Sequence, residues 1–353
     1  MNETSNAALA AGCSALAWDT GDSRHLWGRN LDFHALADGT AVTYLPRGTA
    51  YASCAGSGDS CRSRYAALGV GLLLGPDMPL LYEGVNERGL MGGQLYYRGF
   101  ARYRDDARPG TLPLQPPMAV YHLLAQCATV AEAAQALCRE ATLVGRPLLG
   151  EVPPLHWCFR DRTGETLVAE PDEAGIRLHR ASLGVMTNSP GYDWHRLNLL
   201  NYAAVRDAER PGPDLAGGPA PCFTGSGAQG LPGDWSSPSR FVRLAFLRRY
   251  AVPGRDEETG VARMFRLLQN AAFPLGMVRL DGGGTPAYDH TLYTAVLCAE
   301  SGRCYWTTYD NQQIAYAELP QLLERDAPVQ FPLGGRPAFV RRTGGVPPRW
   351  VTP

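Results

Sequence analysis

Apolar positions along the chain fall into blocks of two alternating periodicities. Residues 13–18 (CSALAW) and 25–33 (HLWGRNLDF) read as strands, and the polar Asp19-Thr20-Gly21-Asp22 between them predicts a hairpin. Strand-like runs follow at 66–74, 80–84 and 89–97. Between 117 and 142 the spacing turns helical and predicts two helices. The second opens with Thr129-Val130-Ala131-Glu132, the pattern of a capping box. Strand patterns return at 155–161, 165–170, 175–179 and 183–187. Residues 239–251 and 259–272 carry apolar side chains at helical spacing, and strands near 291–299, 303–309 and 313–318 close the chain. Strands and helices thus come in separate blocks, which predicts α+β layering rather than a parallel βαβ sheet. No repeat or long linker interrupts the pattern. The Pro/Gly-rich stretches 209–221, 225–234 and 343–353 are expected to be surface loops and a tail of one domain.

Composition narrows the chemistry. With 353 residues, 45% hydrophobic and 19% charged, the chain can bury a sizeable core. Its formal net charge is −1 and it has no basic block, so no nucleic-acid partner is expected. The sequence contains no lysine at all. That absence excludes a P-loop, a protein-kinase site and Schiff-base catalysis, each of which needs an amine side chain. The nine cysteines show no CxxC pairing, which argues against a disulfide framework and for a reducing compartment. The seven histidines form no HxxxH or HExxH, so no zinc site and no metal or organic cofactor is expected. GVGLLLG at 69–75 has the wrong spacing for a dinucleotide fingerprint, and no GxSxG elbow occurs. No stretch approaches the roughly 18 apolar residues of a membrane span, and the N-terminus lacks a secretion signal, so a cytoplasmic location is the expectation.

The first hairpin holds the candidate chemistry. With its turn centred at Gly21, antiparallel pairing sets Cys13 across from Arg29, with Asp32 just beyond. A guanidinium beside a thiol favours the thiolate, the form that attacks carbonyls. If the Gly12–Cys13 bond is cut, the new α-amino group, with an ordinary pKa of about 7.7–8.0, sits on the same residue as the thiol and can act as its base. The plain alternative stays open at this point. A cysteine at a strand start is most often a small buried hydrophobe, and an Arg-Asn-x-Asp run a turn with a surface ion pair.

Six stretches, in order, resemble the choloylglycine hydrolase family, which contains bile salt hydrolases and penicillin V acylases. They are Cys13-Ser14; Gly28-Arg29-Asn30-Leu31-Asp32; Gly84-Val85-Asn86-Glu87-Arg88-Gly89-Leu90-Met91; Pro154-Leu155-His156-Trp157; Val185-Met186-Thr187-Asn188-Ser189-Pro190 with Trp194-His195; and Leu231-Pro232-Gly233-Asp234 leading to Ser239-Arg240-Phe241. The resemblance runs from Cys13 to about residue 320. It implies the four-layer αββα sandwich of N-terminal-nucleophile hydrolases, with residues 13–340 as one domain, 1–12 as a removed leader and 341–353 as a tail.

The resemblance also implies roles. Cys13 would be nucleophile and, through its freed amine, base; Arg29 would tune the thiol and Asp32 would hold the amine. The Asn188 side chain and a backbone N–H near Tyr96 would receive the oxyanion, and Arg240 would complete the polar cluster. Without the family, Asn188 reads as a turn residue and Arg240 as a surface charge; Asp234 reads as a turn residue and stays outside the site.

Two departures stand out. Family members commonly begin almost at the cysteine, whereas twelve residues precede it here. Either these form a propeptide that Cys13 removes by attacking its own Gly12 carbonyl, or translation starts downstream. Tyr96 stands where bile salt hydrolases typically carry Asn, closer to penicillin V acylases, and a tyrosine wall suits an aryl-acyl group. The expected reaction is hydrolysis of a linear amide through a Cys13 thioester, with phenoxyacetyl amides such as penicillin V preferred. Glycine- or taurine-conjugated bile acids are the alternative, and a non-catalytic acyl-binding protein with residues 1–12 attached is a second. The partner is then a small-molecule amide, with no membrane and, by resemblance, a homotetramer supported by the loop 209–227.

Overall fold

The structure is a computed structural model that describes residues 12–56, 58–212, 217–218, 224–280, 286–345 and 349. Most of the proposed leader, parts of the 209–227 loop and most of the tail lie outside these residues.

Alternating apolar positions build two antiparallel sheets. One contains β1 (Gly12–Asp19), β2 (His25–Phe33), β14 (Val185–Met186), β15 (Val278–Leu280), β16 (Ala287–Cys298), β17 (Arg303–Thr308) and β18 (Ala315–Glu318). Its order is β14-β1-β2-β16-β17-β18, with β15 paired to β16. The other contains β3 (Ala41–Leu45), β6 (Ala67–Leu73), β7 (Pro79–Asn86), β8 (Met91–Tyr96), β11 (Leu155–Arg160), β12 (Thr166–Asp172), β13 (Gly175–Arg180) and β19 (Val329–Pro332). Its order is β13-β12-β11-β8-β7-β6-β3-β19. Two short ribbons, β4 (Ala50–Ala52) with β5 (Ser60–Arg62) and β9 (Leu112–Leu114) with β10 (Ala141–Leu143), lie outside both.

Helices cover the outer faces. α4 (Ser237–Tyr250) and α5 (Glu257–Gln269) pack on β1, β2 and β16, while α1 (Ala119–Gln126) packs on β7 and β8. α2 (Val130–Gln135) extends that second helical layer, and α3 (Tyr192–Asn198) packs on α4. One apolar core, including Trp27, Val70, Met91 and Tyr293, fills the space between the sheets and beneath α4 and α5. A second, including Tyr121, Leu124 and Trp157, lies between the other sheet and α1. This is the four-layer αββα sandwich expected from the sequence.

Details differ from the pattern-based expectation in instructive ways. The 183–187 run shrinks to the two residues of β14, and β3, β19 and α3 are not among the elements the pattern predicts. Thr129 caps α2 by accepting from the Glu132 N–H at 3.2 Å, but the Glu132 carboxylate reaches the Ala128 N–H at 2.8 Å instead of closing a capping box. Two of the glycines of GVGLLLG, Gly69 and Gly71, serve packing: a Cβ at Gly69 would stand 2.0 Å from the Glu83 carbonyl oxygen, where β6 presses on β7.

The hairpin register is the main correction. Thr20 N–H bonds the Arg24 carbonyl at 3.0 Å and Ser23 is left-handed (φ 63), so the turn sits later than Gly21. Cys13 therefore pairs with Leu31, and Arg29 with Ala15. The error is two residues. Because strand side chains alternate with period two, Arg29 still shares a face with Cys13.

Candidate active site

β1 delivers Cys13 and β2 delivers Arg29 to the space between the sheets. Cys13 is 3% exposed and Arg29 only 1%. Arg29 Nη2 donates to Cys13 Sγ at 3.1 Å. Its other amino group, Nη1, donates to Glu83 Oε2 at 3.0 Å and to the Gln94 carbonyl at 2.9 Å. Glu83, fully buried, is thus the counter-ion that aims the guanidinium. Sequence reading missed it, because nothing local marks an ion pair that spans 54 positions.

The Cys13 thiol is not activated by charge alone. Burial pushes it up, and this outweighs the opposite pull of Arg29. The pull of the guanidinium towards a thiolate is therefore opposed by burial, which raises the thiol while it is hydrogen-bonded to an arginine. A nucleophile in that state needs a base.

On the opposite, helix-facing side of β1, Arg240 from α4 gathers the backbone around Cys13. It is buried rather than a surface charge. Its Nη1 donates to the Cys13 carbonyl at 2.5 Å and to Ser14 Oγ at 2.7 Å, and its Nη2 to Asn188 Oδ1 at 2.7 Å. Asn188 Oδ1 also accepts from the Cys13 N–H at 3.0 Å, while Nδ2 donates to the Tyr96 carbonyl at 2.8 Å. Two donors on one end and a carbonyl on the other fix the orientation of this amide. Among the described residues nothing takes its second Nδ2 hydrogen. Asp234, left out of the site above, precedes α4 and accepts from the Ser236 N–H and the Ser239 hydroxyl.

Asp32, paired across from Gly12, accepts from Thr291 Oγ1 at 2.5 Å through Oδ1. Its Oδ2 is buried without a partner. Burial raises Asp32 to about 6, against the pull of Arg240 and Thr291. Asp289, two positions before Thr291 on β16, is buried with neither oxygen bonded. Burial, together with the Asp32 charge, lifts it to about 7. A carboxyl raised in the folded state contributes stability below its ordinary pKa of 3.8 and loses it as pH rises through about 7. Asp289→Asn is therefore expected to raise the melting temperature by a few degrees at pH 8 and to leave it unchanged at pH 3.5, measured by calorimetry.

The β7–β8 ladder supplies the opening. Pairing stops at Glu83↔Gly93, and beyond it Leu80–Tyr82 and Gln94–Tyr96 are not paired with each other. The cavity of about 330 Å³ that reaches Cys13 is lined there by Leu80, Tyr82, Gln94 and Tyr96, with Leu31 and Phe33 from β2. The Tyr97 N–H bonds the Pro154 carbonyl at 2.8 Å, so ladder alternation turns the N–H and C=O of Tyr96 the other way, towards Asn188. The Tyr96 and Phe33 rings stack at 6.2 Å. A larger cavity of about 620 Å³, near Arg62, His122 and Glu132, shares no lining residue with this one.

Two histidines hold the Asn188 loop. His156 Nε2 meets the Thr187 carbonyl at 3.0 Å and His195 Nε2 the Asn188 carbonyl at 2.9 Å. Burial keeps His195 down at about 4, so it is a neutral donor at physiological pH. Both residues lie in the sequence stretches quoted above, which gave them no role. Among the described residues no cluster of His, Cys, Asp or Glu is placed to hold a metal ion, and no helix is long and apolar enough to cross a membrane.

A profile of the family described as linear amide C–N hydrolases, choloylglycine hydrolase family, matches residues 13–326. The chain is 31% identical over 307 residues to a bile salt hydrolase/transferase of Clostridium perfringens, covering 86% of this chain and 91% of that one. It is 30% identical over 305 residues to a bile salt hydrolase/transferase of Bifidobacterium longum subsp. longum, covering 86% and 93%. Among solved structures, a variant of the conjugated bile acid hydrolase from Clostridium perfringens superposes with a TM-score of 0.85 at 28% identity, over 93% of this chain and 99% of that one. Penicillin V acylase from Agrobacterium tumefaciens superposes with a TM-score of 0.70 at 20% identity, over 88% and 87%, a likeness of fold.

Proposed function

The chain belongs to the choloylglycine hydrolase family of linear amide C–N hydrolases, and from that footing we propose that Cys13, freed at its nitrogen by loss of residues 1–12, is the nucleophile. The observation that carries this is the Cys13 environment: a buried thiol that accepts from Arg29, with an orphaned carboxylate oxygen of Asp32 beside the hairpin end. As an amide, the Cys13 nitrogen has one hydrogen, and Asn188 takes it. A free amine has more, and Asp32 Oδ2 is the acceptor left waiting.

Processing needs no outside enzyme. Cys13 Sγ adds to the Gly12 carbonyl, the Gly12–Cys13 C–N bond breaks with a proton going to nitrogen, and water hydrolyses the resulting thioester. Gly12 suits this crowded spot, since a Cβ there would stand 2.4 Å from Phe273 Cζ. The family match beginning on Cys13 supports the same boundary.

Substrate hydrolysis repeats the chemistry. The thiol proton passes to the neutral α-amine as Sγ adds to the substrate carbonyl, whose oxygen takes the negative charge. The free Nδ2 hydrogen of Asn188 and the Tyr96 N–H receive that oxyanion. As the C–N bond breaks, the ammonium returns the proton to the departing nitrogen. The amine then draws a proton from water, which cleaves the thioester and restores the thiol. Arg29, Asp32 and Arg240 hold thiol, amine and backbone in place throughout.

The acyl half would occupy the apolar cavity, and the stacked Tyr96–Phe33 wall supports a flat aryl-acyl group of the penicillin V type. Conjugated bile acids are the second reading, favoured by the two bile salt hydrolases at 30–31% identity. Release of 6-aminopenicillanic acid from penicillin V is expected to exceed release of glycine or taurine from conjugated bile acids in kcat/KM by about tenfold, the effect of one well-fitted group. Faster bile-acid turnover would overturn the aryl preference. A homotetramer in a reducing cytoplasm completes the proposal.

A further inference from the structure

The cavity wall contains a buried amide side chain that the mechanism above does not use. Gln94 is 7% exposed, lies on β8 between Gly93 and Leu95, and lines the cavity with Cys13. Its Oε1 is buried without any partner, and among the described residues its Nε2 makes no hydrogen bond either. Its cross-strand neighbour Trp157 also leaves its indole N–H unbonded, so the two do not satisfy each other. Buried amides are ordinarily paired, and an unpaired one in the wall of an otherwise apolar pocket is the kind of group that orients a ligand.

The backbone fixes how deep this amide sits. The Gln94 carbonyl accepts from Arg29 Nη1 at 2.9 Å, and the same guanidinium touches Cys13 Sγ at 3.1 Å through Nη2. The Gln94 backbone therefore stands one guanidinium away from the nucleophile. The apolar residues Leu31, Phe33, Leu80 and Leu155 line other parts of the wall.

Building on the Cys13 reading, we propose that Gln94 is a specificity-determining residue, whose side-chain amide hydrogen-bonds an ether or hydroxyl oxygen carried by the acyl group close to the scissile carbonyl. Acyl groups with an oxygen at that depth are preferred over all-carbon chains of equal length. The amide can serve either kind of oxygen, since Nε2 donates to an ether and Oε1 accepts from a hydroxyl.

The test compares the p-nitroanilides of phenoxyacetic acid and 3-phenylpropanoic acid, which differ by an ether oxygen in place of a methylene. The ratio of their kcat/KM values, divided by the ratio of their rates in hydroxide, removes the intrinsic reactivity difference. Wild-type protein is expected to favour the ether about tenfold by this measure. Gln94→Met keeps the length of the side chain and deletes both hydrogen-bonding ends, and is expected to bring the corrected ratio to about one. Gln94→Leu is the second variant if the first does not fold. An unchanged ratio in the folded variant, whatever the absolute rates, overturns the role of Gln94 and leaves Cys13 hydrolysis standing. Wild-type protein that hydrolyses neither anilide overturns the aryl-acyl reading and this assignment together.

Discussion

Cys13→Ala is expected to keep residues 1–12 attached and to lower linear-amide hydrolysis on the order of 10⁶-fold, as loss of a catalytic nucleophile does elsewhere. Both losses have one cause, since the same sulfur is assigned to Gly12–Cys13 cleavage and to substrate attack. No neighbouring group can replace it. Cys158, also between the sheets, is fully buried against Trp27 with its thiol pushed up to about 12 by burial. Alanine leaves a small void next to Arg29, whose bonds to Glu83 and the Gln94 carbonyl persist, so the fold is expected to survive. Circular dichroism and intact mass check the fold and the terminus, and activity within tenfold of wild type would remove Cys13 from the mechanism.

Asn188→Asp is the second large effect. The substitution retains Oδ1, which accepts from the Cys13 nitrogen and from Arg240, but replaces Nδ2 with a second oxygen. That oxygen faces the Tyr96 carbonyl, which now loses its donor, and the position assigned to the oxyanion. Losing one oxyanion donor costs about 10²–10³ in kcat, and the new negative charge acts in the same direction. KM is expected to change far less, because the acyl cavity is lined by other residues. Single-turnover kinetics on protein whose processed terminus has first been verified separates this effect from failure of self-cleavage. A kcat within threefold of wild type would remove Asn188 from oxyanion stabilisation.

Much of this site was legible because it is local. The hairpin placed Cys13, Arg29 and Asp32 together even though its register was misplaced by two residues, since period-two alternation preserves the face when a register slips by an even number. Arg240 shows the limit of pattern. On a helix with arginines on several sides, nothing in spacing distinguishes it from Arg248 or Arg249, and its burial follows only from the backbone carbonyl of Cys13, Ser14 and Asn188 brought to it from distant segments. Resemblance to a family, not periodicity, singled it out.

Glu83 and Gln94 were invisible for a related reason. Their roles depend on where β7 and β8 part company, and strand pairing that ends early leaves no trace in the alternation of either strand. The orphaned oxygens of Asp32 and Asp289 belong to the same class. A buried carboxylate can be suspected from sequence, but an unpaired one is a property of the assembled fold.

The central claim is that the working enzyme begins at Cys13 with a free amine beside its thiol. Intact mass of the purified protein, before and after brief iodoacetamide treatment, tests it most directly. The account predicts a chain starting at Cys13, one rapid alkylation at that residue and complete loss of amide hydrolysis with it. An active protein that still carries residues 1–12 would contradict it, because no free amine would then stand beside the thiol.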